Sequence, residues 1–196
     1  MFCFSGRTKK MTIKRVLLPT AAFIATAVFM TLMHLPLSLS FLAWTAMVPF
    51  LLACSSSCRT YLIAASAYIT GMVYWLCNLY WIGQVTITGW IAFCLYTALL
   101  WPLLVIAVRF CISRKVPLFI AAAVLITGSE QLQGLFVGGF YWRHLCHSQY
   151  QNLTLIQLAD ITGAAGISFI IAAVNGLIAE TILTVYKRRR IFQVSW

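Results

Sequence analysis

The sequence predicts an all-α integral membrane protein with about six transmembrane helices and both termini in the cytoplasm. Three observations carry this reading. Hydrophobic residues make up 62% of the 196 positions and charged residues only 9%, well outside the composition of a soluble domain. Uncharged apolar runs of about 20 residues, the length a spanning helix needs, recur along the chain. Thirteen of the 14 Lys and Arg fall on one side of the membrane once six spans are drawn, and Arg143 stands alone on the other.

The first span is Val16 to Met33, preceded by a basic segment, residues 1–15, with Arg7, Lys9, Lys10, Lys14 and Arg15. A signal peptide is disfavoured because no small-x-small cleavage site precedes His34-Leu35-Pro36 and more apolar runs follow. Met11 is a second candidate start. The chain turns at Pro36 into a second span, Leu37 to Cys54, which contains Trp44 and Pro49 and ends in the polar Ser55-Ser56-Ser57. Leu51-Leu52-Ala53-Cys54 has the letters of a lipobox but sits after the second span on the cytoplasmic side, the wrong place for one.

Tyr61 to Ile82 forms the third span, and its aromatic cluster, Tyr74, Trp75, Tyr80 and Trp81, is expected to anchor at the water interface. Trp90 to Val108 is the fourth, broken by Pro102. Val116 to Phe136 is the fifth and carries Glu130 roughly 21 Å along the axis. A carboxyl at that depth must face the bundle or a wet cavity, and a neighbouring helix, the Gln131 or Gln133 amide, or water is its expected partner. Gly134 and Gly138 make a G-x-x-x-G step that permits close helix approach. The sixth unit, Leu153 to Tyr186, is too long for one straight span and is divided at Thr162-Gly163, so that 153–160, with Asp160, lie at the outer interface and Ile167 to Tyr186 crosses. Asn175 falls near mid-span and needs an interhelical partner. Residues 187–196 form a basic cytoplasmic tail, which opens on Lys187-Arg188-Arg189-Arg190.

The formal charge of +11 does not indicate nucleic-acid binding, since the basic residues mark the ends of apolar runs and no soluble basic surface or motif is present. Seven scattered cysteines give no disulfide framework. Cys54 and Cys58 lack the second pair or histidine that a zinc site needs.

Polar and aromatic specificity concentrates between Gly128 and Asn175. Gly139-Phe140-x-Trp142, His147-Ser148-Gln149 and Ile156-Gln157-Leu158-Ala159-Asp160-Ile161-Thr162-Gly163-x-x-Gly166-x-Ser168-Phe169, with Asn78-Leu79-Tyr80-Trp81 as a second anchor, resemble the membrane portion of bacterial apolipoprotein N-acyltransferases. The resemblance covers nearly all of residues 15–186. One departure is Gln133-Gly134, where the family commonly has an Arg-Gly step after its Glu.

The resemblance implies a bacterial inner-membrane protein of lipoprotein biosynthesis. It also implies a reaction that moves an acyl chain from a phospholipid to the amino group of a lipoprotein's N-terminal diacylglyceryl-cysteine, with no cofactor. In the family a Glu, Lys and Cys set in a periplasmic nitrilase-like domain performs this chemistry, and no position here matches it. The chain is therefore expected to be the membrane part from a split or truncated gene, inactive alone, with the nitrilase-like domain either a separately encoded partner or lost. On that reading Trp142, His147, Ser148 and Gln149 face substrate, while Glu130, Asp160 and Asn175 are structural polar groups in the membrane. A non-enzymatic transporter or assembly scaffold is the alternative, and the sparse ionisable groups at mid-membrane count against transport.

His144, Cys146 and His147 lie together; Cys146 beside His147 invites a nucleophile reading, and His144 with His147 a metal one. Sequence neighbours are expected to point apart, the outer side has no lysine and a third ligand is wanting, so no catalytic or metal role is assigned to them.

Overall fold

The computed structural model describes residues 6–34, 36–136 and 139–194. Among these, the chain is helical throughout and contains no strand. The helices are α1 (Gly6–Leu32), α2 (Val48–Cys54), α3 (Thr60–Asn78), α4 (Ile87–Ala98), α5 (Leu100–Ser113), α6 (Leu118–Phe136), α7 (Leu153–Ile156) and α8 (Ala159–Val194), with 3-10 turns at Ser40–Trp44, Tyr80–Gln84 and Leu145–Gln149. Four stretches are long and apolar enough to cross a membrane: Thr60–Asn78, Ile87–Ser113, Leu118–Leu135 and Ala159–Lys187. Val16–Leu32 and Ser40–Cys54 are shorter apolar segments. The protein is thus an all-α membrane protein, as its composition requires.

Each break in the helices has a local cause. Proline 102 has no N–H, and its ring crowds the carbonyl four residues back, which belongs to Ala98; α4 ends at that residue and α5 restarts at Leu100. Within α8, Gly163 takes φ 68° and ψ 179°, a conformation essentially restricted to glycine, so the division expected at Thr162-Gly163 is present.

The second apolar run differs from expectation: it is a 3-10 turn, a break at 45–47 and the short α2 with Pro49 in its first turn, and not one continuous helix. Backbone groups opened by such a break need partners inside an apolar bundle. Asn175, fully buried on α8, supplies them. Its Oδ1 accepts from Met47 N–H at 2.8 Å, and its Nδ2 donates to Ala43 O at 2.8 Å.

Other polar side chains work the same way. Arg109 on α5 donates to the carbonyls of Cys54, Ser56 and Cys58 at 3.0 to 3.1 Å, capping the carbonyl end of α2, where the helix dipole favours a cation. The carboxylate of Glu180 on α8 accepts from Leu118 and Phe119 N–H and so caps the start of α6 from a neighbouring helix. Close approach of α6 and α8 depends on Gly176, where an added Cβ would stand 2.6 Å from Phe119 Cα.

The expected G-x-x-x-G contact is not what Gly134 provides, since the Tyr141 ring lies over it; Gly138, like Cys3, lies outside the described residues. The aromatic cluster also divides. Tyr80 and Trp81 are exposed, but Tyr74 and Trp75 are buried and join Phe50 and Trp101 in an aromatic core, with Tyr74 and Trp101 centroids 5.7 Å apart. The helical step explains this: Tyr74 and Trp75 fall inside α3, on the face that carries buried Ala67, Thr70 and Gly71, whereas Tyr80 and Trp81 lie beyond its end.

Candidate functional site: an outer loop folded back into the bundle

The connection between α6 and α7 is not a simple exposed link between spans. Instead it folds back into the bundle. Gly139, at φ 100°, lets the chain reverse after α6, and Arg143 also holds a left-handed φ of 59°. The 3-10 turn Leu145–Gln149 then buries Leu145, Cys146, Ser148 and Gln149 against α8 and the 3-10 turn at Ser40–Trp44. Irregular backbone at such depth is tolerated only where protein satisfies it.

Three helix side chains do so. Glu130 Oε1 accepts from Leu145 N–H at 2.7 Å, and Ser168 Oγ accepts from Cys146 N–H at 3.1 Å. Gln133 Nε2 donates to Trp142 O at 3.0 Å and to Phe140 O at 3.4 Å. Gln149, itself in the loop, donates to Ser40 O at 2.9 Å. Glu130 therefore ties α6 to the loop: Oε1 takes a backbone N–H, which was not among its expected partners, while Ser168 of the neighbouring α8 stands beside the same carboxyl.

The four residues expected to face substrate separate into two pairs. Trp142 and His147 line an open cleft of about 410 Å³ together with His34, Tyr141, Arg143 and Tyr150. Ser148 and Gln149 are turned inward: Ser148 Oγ donates to Leu145 O at 2.7 Å, and Gln149 Nε2 donates to Ser148 Oγ as well as to Ser40 O. A 3-10 turn has about three residues per turn, so the consecutive His147, Ser148 and Gln149 point about 120° apart and cannot all face one side. Asp160 is exposed in the first turn of α8, where an acid complements the helix dipole.

Sequence reasoning also missed the mutual position of His144, Cys146 and His147. Their ligand-capable atoms all lie within 4.8 Å of one another, against the expectation that neighbours point apart, because the turn curls them together. The hydrogen bonds assign these atoms other work. His144 N–H donates to His147 Nδ1 at 3.2 Å, and the His144 ring in turn accepts from His147 N–H, a reciprocal cap that leaves the rings stacked 5.2 Å apart. Each neutral ring then carries its proton on Nε2. Burial holds both imidazoles neutral, lowering His147 and taking His144 down to about 4, and it pushes the Cys146 thiol up to about 11. A cation would have to displace both caps and deprotonate a buried thiol. A thiol so held is also a poor nucleophile.

His34 extends the same network. Its ring nitrogens lie 2.8 Å from Met30 O and 3.2 Å from His144 O, joining the end of α1 to the loop.

With this geometry in view, comparison with known proteins is direct. Residues 26–177 match the model of the apolipoprotein N-acyltransferase N-terminal domain. The chain belongs to the apolipoprotein N-acyltransferase family. It is 35% identical over 146 residues to the apolipoprotein N-acyltransferase of Geobacter metallireducens, covering 68% of this chain and 28% of the relative. With that of Rhodopirellula baltica it shares 33% identity over 175 residues, 80% of this chain and 30% of the relative. The aligned part of the chain thus spans under a third of the length of these apolipoprotein N-acyltransferases. The family match takes in the Glu130 and Asn175 contacts and the whole re-entrant loop.

Proposed function

We propose that this chain forms the membrane-embedded part of an apolipoprotein N-acyltransferase in the bacterial inner membrane. It holds a phospholipid donor and a diacylated lipoprotein at the outer leaflet while the acyl chain passes to the lipoprotein's amino group. The family match over residues 26–177 carries this reading. On it, residues 1–15 and 187–196 are cytoplasmic basic segments and 16–186 is the membrane domain, with the cleft around Trp142 and His147 opening to the periplasmic side.

The cleft suits such a substrate. Trp142 is 53% exposed and offers an apolar ring with a polar N–H, while Arg143 and the Tyr141 and Tyr150 hydroxyls provide head-group contacts. The nucleophile is not Cys146, whose buried thiol stays protonated at neutral pH. A nitrilase-like domain supplies the Glu, Lys and Cys set. The test is photocrosslinking of a diacylated lipopeptide to the purified chain in nanodiscs. Crosslinks should map to Tyr141 through Tyr150, compete with phospholipid and appear without acyl transfer. Crosslinks scattered over all exposed apolar faces, or none that phospholipid competes, would remove the reading.

A further inference from the structure

Beneath the open cleft lies a second, smaller space. A chamber of about 60 Å³ sits between the re-entrant loop and the aromatic core, walled by Met47, Trp75 and Trp101 on one side and by Glu130, Arg143 and His144 on the other. Four buried polar atoms of these wall residues have no hydrogen bond of good geometry, Glu130 Oε2, His144 Nε2, Arg143 Nε and Trp75 Nε1, and the Tyr74 hydroxyl close to Arg143 is likewise unpaired. Ser168 Oγ stands beside the same carboxyl but not in hydrogen-bond geometry to Oε2.

The chemistry of these atoms is complementary. The His144 ring accepts its cap bond while Nε2 remains unpartnered, so Nδ1 is the acceptor and Nε2 carries the proton. The walls therefore present three N–H donors, from His144, Arg143 and Trp75, and one carboxyl oxygen. Buried groups of this kind are costly when left unpaired, and cavities that stay dry are apolar ones. One water needs roughly 10–15 Å³ of such space, so the chamber of about 60 Å³ has room for roughly four to six. A lipid head group or side chain is too large for it.

We propose that this chamber is a water-binding site, in which a small cluster accepts from His144 Nε2–H, Arg143 Nε–H and Trp75 Nε1–H and donates to Glu130 Oε2. Arg143 lines both the chamber and the outer cleft, so it forms the wall through which the cluster exchanges with the outside. This rests on the chamber's own atoms and not on the acyl-transfer reading. Glu130 is then held by the loop through one oxygen and hydrated through the other.

Radiolytic hydroxyl-radical labelling of the wild-type chain in nanodiscs tests this, because radicals born on a bound water oxidise the side chains next to it. Met47 and Trp75 line the chamber at 5% and 4% exposure, whereas Met33 is 0% exposed and does not line it. Met47 and Trp75 should be oxidised several-fold faster than Met33, and this should persist under a bulk radical scavenger that suppresses labelling of exposed Trp142. Labelling of Met47 and Trp75 no faster than Met33, or suppressed by the scavenger as fully as Trp142, would overturn the proposal.

Discussion

Glu130 Oε1 and Leu145 N–H lie 2.7 Å apart, and through this contact a carboxyl on α6 holds the backbone of a loop that would otherwise lie outside the bundle. A hydrogen bond to a charged or polar side chain at a buried site matters most for what its loss leaves behind.

Glu130→Gln keeps an acceptor oxygen for Leu145 N–H and should change thermal stability little. Glu130→Leu strands that N–H and should cost roughly 1–3 kcal/mol, the penalty of an unsatisfied buried donor. Melting of the detergent-solubilised protein, followed by monodispersity on heating, distinguishes them; equal losses for both variants would mean the loop does not depend on this bond.

Asn175 serves a donor and an acceptor at once, so Asn175→Leu should be more harmful than Glu130→Leu, by roughly 2–4 kcal/mol in all. Asn175→Asp keeps the acceptor for Met47 N–H and loses the donor to Ala43 O, and its yield of folded protein should fall between those of wild type and Asn175→Leu. A wild-type melting curve for Asn175→Leu would refute the bridging role.

Acidification should loosen the loop. Burial lowers His144 to about 4 and also lowers His34 and His147, while an unfolded histidine titrates near 6.5. The folded state thus resists protonation that the unfolded state accepts. The sign follows: stability is full above about pH 6.5, falls as pH drops toward 4, and levels off below, with His144 alone contributing on the order of 3 kcal/mol. Hydrogen exchange of residues 139–149 at pH 7.5 and pH 5 should show faster exchange at the lower pH once the intrinsic rate is corrected, and His144→Asn should blunt the change.

The indole of Trp142 packs 5.6 Å from Trp81 and 6.1 Å from Phe140, yet half of its surface is open. Trp142→Ala should leave expression unchanged and weaken lipopeptide crosslinking several-fold. A fall in folded protein with crosslinking per molecule unchanged would make Trp142 an anchor of the loop.

The distribution of basic residues predicts that both termini are cytoplasmic and Gln151 periplasmic. Reporter fusions after Trp196 and at Gln151 should read cytoplasmic and periplasmic respectively; a periplasmic signal after Trp196 would end the six-span topology.

By itself the sequence determined that the chain is a helical membrane bundle, which family it resembles, and where Pro102 and Gly163 interrupt the helices. These features are local, set by the apolar length of a run, by the missing N–H of proline or by a conformation only glycine adopts. Tertiary structure decided what the polar residues are for. Glu130, Gln133, Ser168, Asn175, Arg109 and Glu180 all read as isolated polar letters, yet each meets backbone N–H or C=O groups of a segment distant in sequence or across a turn. No periodicity encodes that, because the partner is main chain and carries no letter of its own. For the same reason Ser148 and Gln149 are turned inward while Trp142 and His147 face the cleft: the order His147-Ser148-Gln149 names the residues, but the direction of each side chain comes from a turn whose shape is fixed by contacts with α6, α8 and the Ser40–Trp44 segment.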